Sequence, residues 1–248
     1  YGSRGANGVI LVTTKKGIVG KTSVKINSSY SFQQDINRVE VLGARDFAEY
    51  INEVRGTDFY NLNALETNTD WQELILRNGH IQNHQLSLSG GSEKVKYYVS
   101  GIYFDQKGVI ETSEYDRITL TSNLNFDVSK NIRVTMNSMY RRAMQEGVQT
   151  QTSGGLSNAG ATTSALTFEP VVGITDEEGN YNDSRIGIAA IDNPVAILDG
   201  QERKSRDEDF QTNIKGEFIL AKGLIFNSTF GLIVRNKRNG DYYNRISH

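Results

Sequence analysis

The chain holds three histidines and no cysteine, so cysteine-based metal sites are excluded and histidine is the first candidate for a metal ligand. His80 and His84 are four residues apart, a spacing that on a helix would place both on one face and would suit zinc. The segment HIQNHQLSLS, however, leads into a strand, where residues four apart share a side but are too far apart to share an ion. His248 lies at the other end of the chain, so the sequence predicts no metal site and no cofactor.

The segment TDEEGNYND (175–183) carries oxygen donors of the kind that calcium prefers, placed around one glycine. The donors are Asp176, Glu178, Asn180 and Asp183. The spacing departs from the EF-hand pattern, which needs a longer loop and a terminal Glu. We therefore interpret the segment as a hairpin tip, with Gly179 and Asn180 supplying a left-handed turn, and keep calcium binding as the alternative.

Asp207 and Asp209 are close enough in sequence to suggest the paired carboxylates of glycoside hydrolysis. They flank Glu208 in a charged run that also carries three basic residues, and such runs are usually solvated faces. The sequence shows no set of convergent nucleophile and base residues. We therefore predict no catalytic residues and no enzyme activity.

Glycines at Gly2, Gly5 and Gly8 stand at a spacing that often holds a phosphate. A phosphate-binding loop needs a strand before it and a helix after it, but these glycines precede the β-branched run VILVTTKK. Neither common nucleotide-binding motif is matched. The glycines are better explained as a tight turn that leads into a strand.

Composition narrows the class of protein further. The 27 Lys and Arg against 29 Asp and Glu give a net charge of −2, which argues against a nucleic-acid partner. The mean hydropathy is −0.47, and no apolar run approaches the ~18 residues of a membrane helix. A membrane β-barrel remains possible because its alternating strands average out as polar.

Alternation of apolar and polar residues with a period of two is the strongest pattern in the chain. In the segment RITLTSNLNFDV, one face carries Ile118, Leu120 and Leu124, and the other carries Thr119 and Asn123. The same pattern predicts seven strands, at 24–32, 85–89, 95–104, 117–128, 132–141, 210–220 and 224–235.

The connections between these strands alternate in length. Short turns at 90–94, 129–131 and 221–223 separate long links at 33–80, 105–116 and 145–207. This alternation is typical of a transmembrane barrel, with short periplasmic turns and long external loops. Aromatic residues near both ends of the strands fit two interfacial belts. The belt at the long-loop end would contain Tyr30, Phe32, Tyr103, Phe104, Tyr115 and Tyr140, and the other would contain Phe126, Phe218 and Phe226. The alternative is a soluble β-sandwich, which would bury the Ile118–Leu124 face.

Two short amphipathic helices are expected in the first long link. One covers 44–54, and the other lies within 68–79, with Asp70 as its N-cap and Gly79 after its last turn. Aromatic residues in the long links could stack on sugar rings or could pack within the loops. They are Tyr60, Trp71, Phe168 and Tyr181, and the residues that bind substrate stay unknown.

The first residues, YGSRGANGVILVTTKKG, resemble the closing segment of the plug domain of a TonB-dependent outer-membrane receptor, in particular of the SusC/RagA branch. The segment TDWQELILRNGHIQNHQLSLSGGSEKVKYYVSGIYFDQKGVIETSEYDRITLTSNLNF resembles the first barrel strands of that family. The resemblance implies an all-β fold: a partial transmembrane antiparallel β-barrel built as a meander. Residues 1–17 would end the plug, and residues 18–248 would form the first strands of a barrel of about 22, with long extracellular loops.

The same resemblance implies the function and the partners. The chain would be a fragment of a transporter in the cell outer membrane, importing oligosaccharides or peptides. Its partners would be a SusD-like surface lipoprotein, the TonB complex acting through parts missing here, the cargo and outer-membrane lipid. The alternative is a surface-binding barrel with no import role. Arg4 could pair with Asp127 or Glu217 in the lumen, or it could be solvated at the periplasmic mouth.

Overall fold

The computed structural model describes residues 8, 14–35, 37–151, 159–184, 186 and 191–244. The strands in this part of the chain are β1 (Gly20–Gln33), β2 (Gly79–Gly91), β3 (Val95–Lys107), β4 (Glu114–Ser129), β5 (Ile132–Gly147), β6 (Gln201–Ala221) and β7 (Leu224–Tyr243). The helices are α1 (Ala44–Arg55), α2 (Trp71–Ile75), α3 (Ala161–Thr167) and α4 (Pro194–Gly200). Leu62–Ala64 forms one turn of 3₁₀-helix.

The strands form one sheet in which each strand is hydrogen-bonded to the next in the chain, in the order β1 to β7. Every adjacent pair is antiparallel. The predicted all-β meander is therefore confirmed, and each of the seven predicted strands lies within an observed one. None of the helices in the described residues is long and apolar enough to cross a membrane.

The connections follow the predicted alternation, with one difference in length. The short turns β2–β3, β4–β5 and β6–β7 lie at one end of the sheet and the long links at the other. Strands β3 and β4 continue pairing out to Lys107 and Glu114, so the second link contains only residues 108–113. This link is closed by hydrogen bonds from the amides of Gly108 and Ser113 to Ser113 and Ile110, with Thr112 at a left-handed φ of 67°.

The second predicted helix is shorter than expected. Asp70 caps α2 as predicted, because its side chain accepts a hydrogen bond from the amide of Glu73. The helix ends at Ile75 because the second link pulls the chain into an extended form: Leu76 bridges Ile110, and the amide of Arg77 donates to the carbonyl of Val109 at 2.7 Å. The prediction that Gly79 follows the last helical turn is wrong, since Gly79 begins β2.

The two faces of the sheet differ in chemistry and in exposure. Large apolar side chains stand exposed on one face, among them Ile118 and Leu120, which are 40% and 52% exposed. The other face is polar and more covered, and its Asn123 is 3% exposed. A soluble sandwich would bury the apolar face, so this arrangement excludes the sandwich alternative and matches a barrel wall with lipid outside.

Candidate functional site

The apolar face forms a continuous band that crosses the sheet obliquely. In β1 the band extends from Val24 to Phe32. The row of cross-strand partners that begins at Phe32 and passes from each strand to the next ends at Gly240 in β7. The upper limit of the band in β7 is nevertheless Val234, six residues below Gly240. The lower limit moves in the same direction, because the row from Val24 reaches Leu232 while the outward apolar residues of β7 continue down to Phe226 and Leu224.

This displacement is the stagger of a tilted barrel strand. Six residues over six strand pairings is about one residue per strand, or ~3.3 Å along the strand for every ~4.8 Å across the sheet. A band that is level in the membrane then requires a strand tilt of about 35°, within the range of transmembrane barrels. Nine residues at that tilt span roughly 24 Å, the height of an outer-membrane apolar band.

The predicted aromatic belts are confirmed only for the residues that point outward. Tyr30, Phe32 and Tyr103 are exposed on the apolar face near the long loops. Phe104 and Tyr115 instead lie on the polar face, where their rings pack edge to face at 5.8 Å and Arg117 covers Phe104. The belts were predicted from the position of each aromatic residue along its strand. Successive side chains of a strand point to opposite faces, so a residue at the right height can still point to the polar side.

A row of ion pairs crosses the polar face at the short-turn end. Asp127 accepts hydrogen bonds from Lys96 at 2.9 Å and from Arg133 at 2.7 Å. Arg133 also contacts Glu217 at 3.4 Å, and Lys215 lies 3.7 Å from the same carboxylate. The two carboxylates proposed as partners for Arg4 therefore already have cations, and Arg4 itself lies outside the described residues.

A second group of ion pairs lies higher on the same face and contains the two candidate carboxylates. Asp209 is held by Arg141 at 2.6 Å and by Arg235 at 3.8 Å, and Asp207 lies 4.0 Å from Lys237. Asp209 is thus paired across the strands, whereas the buried Oδ1 of Asp207 has no hydrogen-bond partner among the described residues and only Lys237 nearby. The two carboxylates are parts of a charged wall and not an acid–base pair.

Residues 14–17 run along the polar face near the short turns. The side-chain amide of Asn123 donates to the carbonyl of Lys15 at 2.8 Å. Gly17 is buried so closely against β3 that a Cβ there would lie 2.3 Å from the amide nitrogen of Tyr97. Only a glycine allows this crossing, which places the start of the described chain on the inner side of the sheet.

The long links pack into one compact cap over the end of the sheet. Its core combines α2, α3 and α4, and its buried members are Trp71, Ile75, Ala161, Ala165, Phe168, Val172, Ile197 and Leu198. Trp71 and Phe168 meet edge to face at 4.8 Å. A second small cluster packs α1 against Tyr60. The sequence missed α3 and α4 because ATTSALT and PVAILDG lack a broad apolar stripe bounded by polar residues.

A buried carboxylate joins the first and third links. Glu169 is fully buried and accepts hydrogen bonds from the hydroxyl of Tyr60 at 2.9 Å and from the hydroxyl of Ser184 at 2.7 Å. The amide of Ile186 donates to the same carboxylate at 2.7 Å, and the carbonyl of Glu169 accepts from the indole of Trp71. These bonds hold the cap together at a point where an unpaired carboxylate would be costly.

Packing in the cap determines which of the four candidate cargo aromatics are accessible. Tyr60, Trp71 and Phe168 are buried in it, so the packing alternative applies to these three. Tyr181 is only partly covered, and its hydroxyl donates to Asp199, whose carboxylate raises the pKa of Tyr181 to about 12. Three of the four aromatic faces that could have stacked on a sugar are therefore occupied by the protein itself.

The segment 175–183 forms the predicted hairpin tip. Thr175 bridges Tyr181, and Asp176 accepts hydrogen bonds from the side-chain amide of Asn180 at 3.2 Å and from its backbone amide at 2.7 Å. These two bonds lower the pKa of Asp176. Gly179 has the predicted left-handed φ, at 85°, but Asn180 does not. The Asp176 carboxylate is engaged within the turn.

The histidines face outward. His80 lies 3.4 Å from Asp105, and the Nδ1 of His84 is 2.7 Å from the hydroxyl of Ser28. In the part of the chain that the structure describes, no three metal-ligating side chains come together. His248 lies outside the described residues.

Comparison with known proteins gives the same picture. No family model matches the chain. TonB-dependent receptor P3 of Formosa agariphila is 38% identical over 98% of the chain, and TonB-dependent receptor SusC of Bacteroides thetaiotaomicron is 29% identical over 88%. The chain spans about a quarter of the length of these relatives, 24% and 23% respectively. The solved RagAB peptide importer in its closed-closed state superposes with a TM-score of 0.76 at 19% identity, covering 97% of the chain and 31% of that structure.

The tilted apolar band, the polar inner wall and the structural neighbour define the class: part of an outer-membrane β-barrel. Within that class, the chain is similar over almost its whole length to part of TonB-dependent receptors, SusC among them. These are outer-membrane proteins, so the predicted localisation is confirmed. They are receptors and not enzymes, which also confirms the expectation that the chain has no enzyme activity.

Proposed function

We propose that the chain is the first part of the barrel of a TonB-dependent transporter that imports oligosaccharides or peptides together with a SusD-like surface lipoprotein. The observation that carries this proposal is the 38% identity to a TonB-dependent receptor over 98% of the chain. In this proposal residues 1–17 end the plug and residues 18–248 form barrel strands and extracellular loops. The contacts of Lys15 and Gly17 with the inner face support that division.

The polar wall supports passage of a hydrated cargo. Its charges are paired across the strands, so the wall offers hydrogen bonds without a large excess of either sign. Neutral sugars and peptides of mixed charge suit such a surface. The packed cap at the opposite end from the short turns would form part of the extracellular mouth, where a lid lipoprotein would sit.

The test uses the full-length receptor, purified in mild detergent from native outer membranes, with mass spectrometry of everything that is retained. We expect a stoichiometric surface lipoprotein and a bound oligosaccharide or peptide. A matched strain that lacks only the TonB-contact segment should keep the lid and lose uptake of the retained cargo. A barrel isolated without a lid or cargo, with uptake unaffected by that deletion, would favour the surface-binding alternative.

A further inference from the structure

The outward face carries an arginine cluster directly above the apolar band. The cluster consists of Arg142 on β5, Arg206 on β6 and Arg238 on β7. Arg142 is the first outward residue above Tyr140, whereas Arg206 and Arg238 are the second outward residues above Phe210 and Val234. These three apolar or aromatic residues form the top of the band on their strands. The guanidinium groups therefore stand where the hydrocarbon of a membrane would give way to headgroups.

The cluster has more positive than negative charge. Arg206 and Arg238 are direct cross-strand partners, an arrangement in which like charges repel. Arg142 is the cross-strand partner of Glu208, but it is Arg206 that donates hydrogen bonds to the Glu208 carboxylate. One carboxylate thus serves three guanidinium groups.

Arg142 is the least satisfied member of the cluster. Within the described residues its Nε is buried without a hydrogen-bond acceptor, and its Nη2 contacts only the weakly accepting sulfur of Met144 at 3.1 Å. Asp116 lies opposite Met144 on β4, and its other cross-strand neighbour, Asp105, is the carboxylate that His80 contacts at 3.4 Å.

From this geometry we infer that Arg142, Arg206 and Arg238 bind the phosphate of an anionic lipid in the outer leaflet. A phosphate supplies the acceptors that Arg142 lacks and relieves the repulsion between Arg206 and Arg238, and arginine matches phosphate geometry with paired donors. The lipid's acyl chains would lie on Tyr140, Phe210 and Val234 below it. A free phosphate would gain nothing from that apolar surface. The inference rests on the membrane orientation in the proposed function.

The test measures lipid occupancy of the full-length receptor by native mass spectrometry during titration with phosphorylated lipid A. The variant combines Arg142→Gln, Arg206→Gln and Arg238→Gln. The matched control combines Lys107→Gln and Lys204→Gln, two outward-facing lysines that are already paired with Glu114 and with Glu202. We expect the triple variant to bind the lipid at least ~10-fold more weakly and the control to bind it as the wild type does.

Two further arms identify the ligand. Dephosphorylated lipid A should bind the wild type about as weakly as phosphorylated lipid A binds the triple variant, and millimolar inorganic phosphate should not displace the bound lipid. Equal binding of both lipids, unchanged binding by the triple variant or displacement by inorganic phosphate would each overturn the inference. Arg142→Gln alone, which removes no ion pair, serves if the triple variant fails to fold. Because the readout is lipid binding, its failure is distinct from a failure of cargo import.

Discussion

The side chain of Asn123, in the middle of β4, is hydrogen-bonded to the backbone of Lys15, 108 residues earlier in the chain. This bond fastens the segment before β1 to the inner wall at a residue that is almost fully buried. We expect Asn123→Leu to leave the Lys15 carbonyl unpaired, at a cost of about 1–3 kcal/mol in local stability. Hydrogen exchange of residues 14–18 in the full-length receptor should accelerate. Ser122→Ala, on the opposite face, should leave that exchange unchanged.

Gly17 provides an independent test of the same crossing. In Gly17→Ala the new Cβ would meet the backbone of Tyr97 and of Gly90 at 2.3–2.7 Å, so either β3 or the crossing segment must move. We expect proteolysis near residue 17 and a lower yield of folded receptor. Gly101→Ala, whose Cβ would only touch a Leu120 methyl at 3.4 Å, is the control. Equal behaviour of the two variants would contradict the tight crossing.

The strands could be predicted from the sequence because their alternation is local and because lipid on one side and a polar interior on the other preserve it. In RITLTSNLNFDV the predicted faces are the observed faces, from Ile118 to Asn123. The ion pairs of Asp127 and Asp209 could not be predicted in the same way, since they depend on the register between strands that are distant in the chain.

The cap was the part that local patterns described least well. Its first helix and the Asp70 cap follow from amphipathic spacing and a capping side chain. The end of α2 depends on pairing with the second link, and the burial of Trp71 and Phe168 depends on α3. Tertiary contacts of this kind override local propensity, and they make core residues of three of the four candidate cargo aromatics, Tyr60, Trp71 and Phe168.

The buried carboxylate of Glu169 is predicted to contribute to the stability of the cap. Among the described residues, Tyr60, Ser184 and Ile186 each donate a hydrogen bond to this carboxylate, so Glu169→Gln would turn an amide N–H₂ towards one of these donors. We expect a loss of about 1–3 kcal/mol in cap stability, measured as faster proteolysis of the long loops with the barrel intact. Tyr60→Phe should cost less because it removes one donor. Glu177→Gln, on the exposed hairpin tip, should have no effect.

The Tyr181–Asp199 bond should make cap stability depend on alkaline pH. The pKa of Tyr181 is raised to about 12 from its ordinary value of 10.0, since its hydroxyl donates a hydrogen bond to the Asp199 carboxylate. The stabilisation is therefore complete below about pH 10 and is lost as the pH rises towards 12. Ultraviolet difference titration of wild type against Tyr181→Phe should give a midpoint near 12. In an Asp199→Asn background the midpoint should fall towards 10, and an unchanged midpoint would contradict the bond.

The tilted apolar band predicts how strongly an introduced charged side chain destabilises the receptor at each height on β4. Leu124 points outward within the band, which in this strand extends from Ile118 to Phe126, whereas Val128 lies beyond it next to the short turn. Leu124→Arg should therefore destabilise the reconstituted receptor by about 2–4 kcal/mol and Val128→Arg by no more than ~1 kcal/mol. Urea titration of the full-length receptor in lipid vesicles, followed by heat-modifiable gel mobility, measures both. If the two variants cost the same, the outward face of β4 does not contact hydrocarbon, and the barrel orientation must be abandoned.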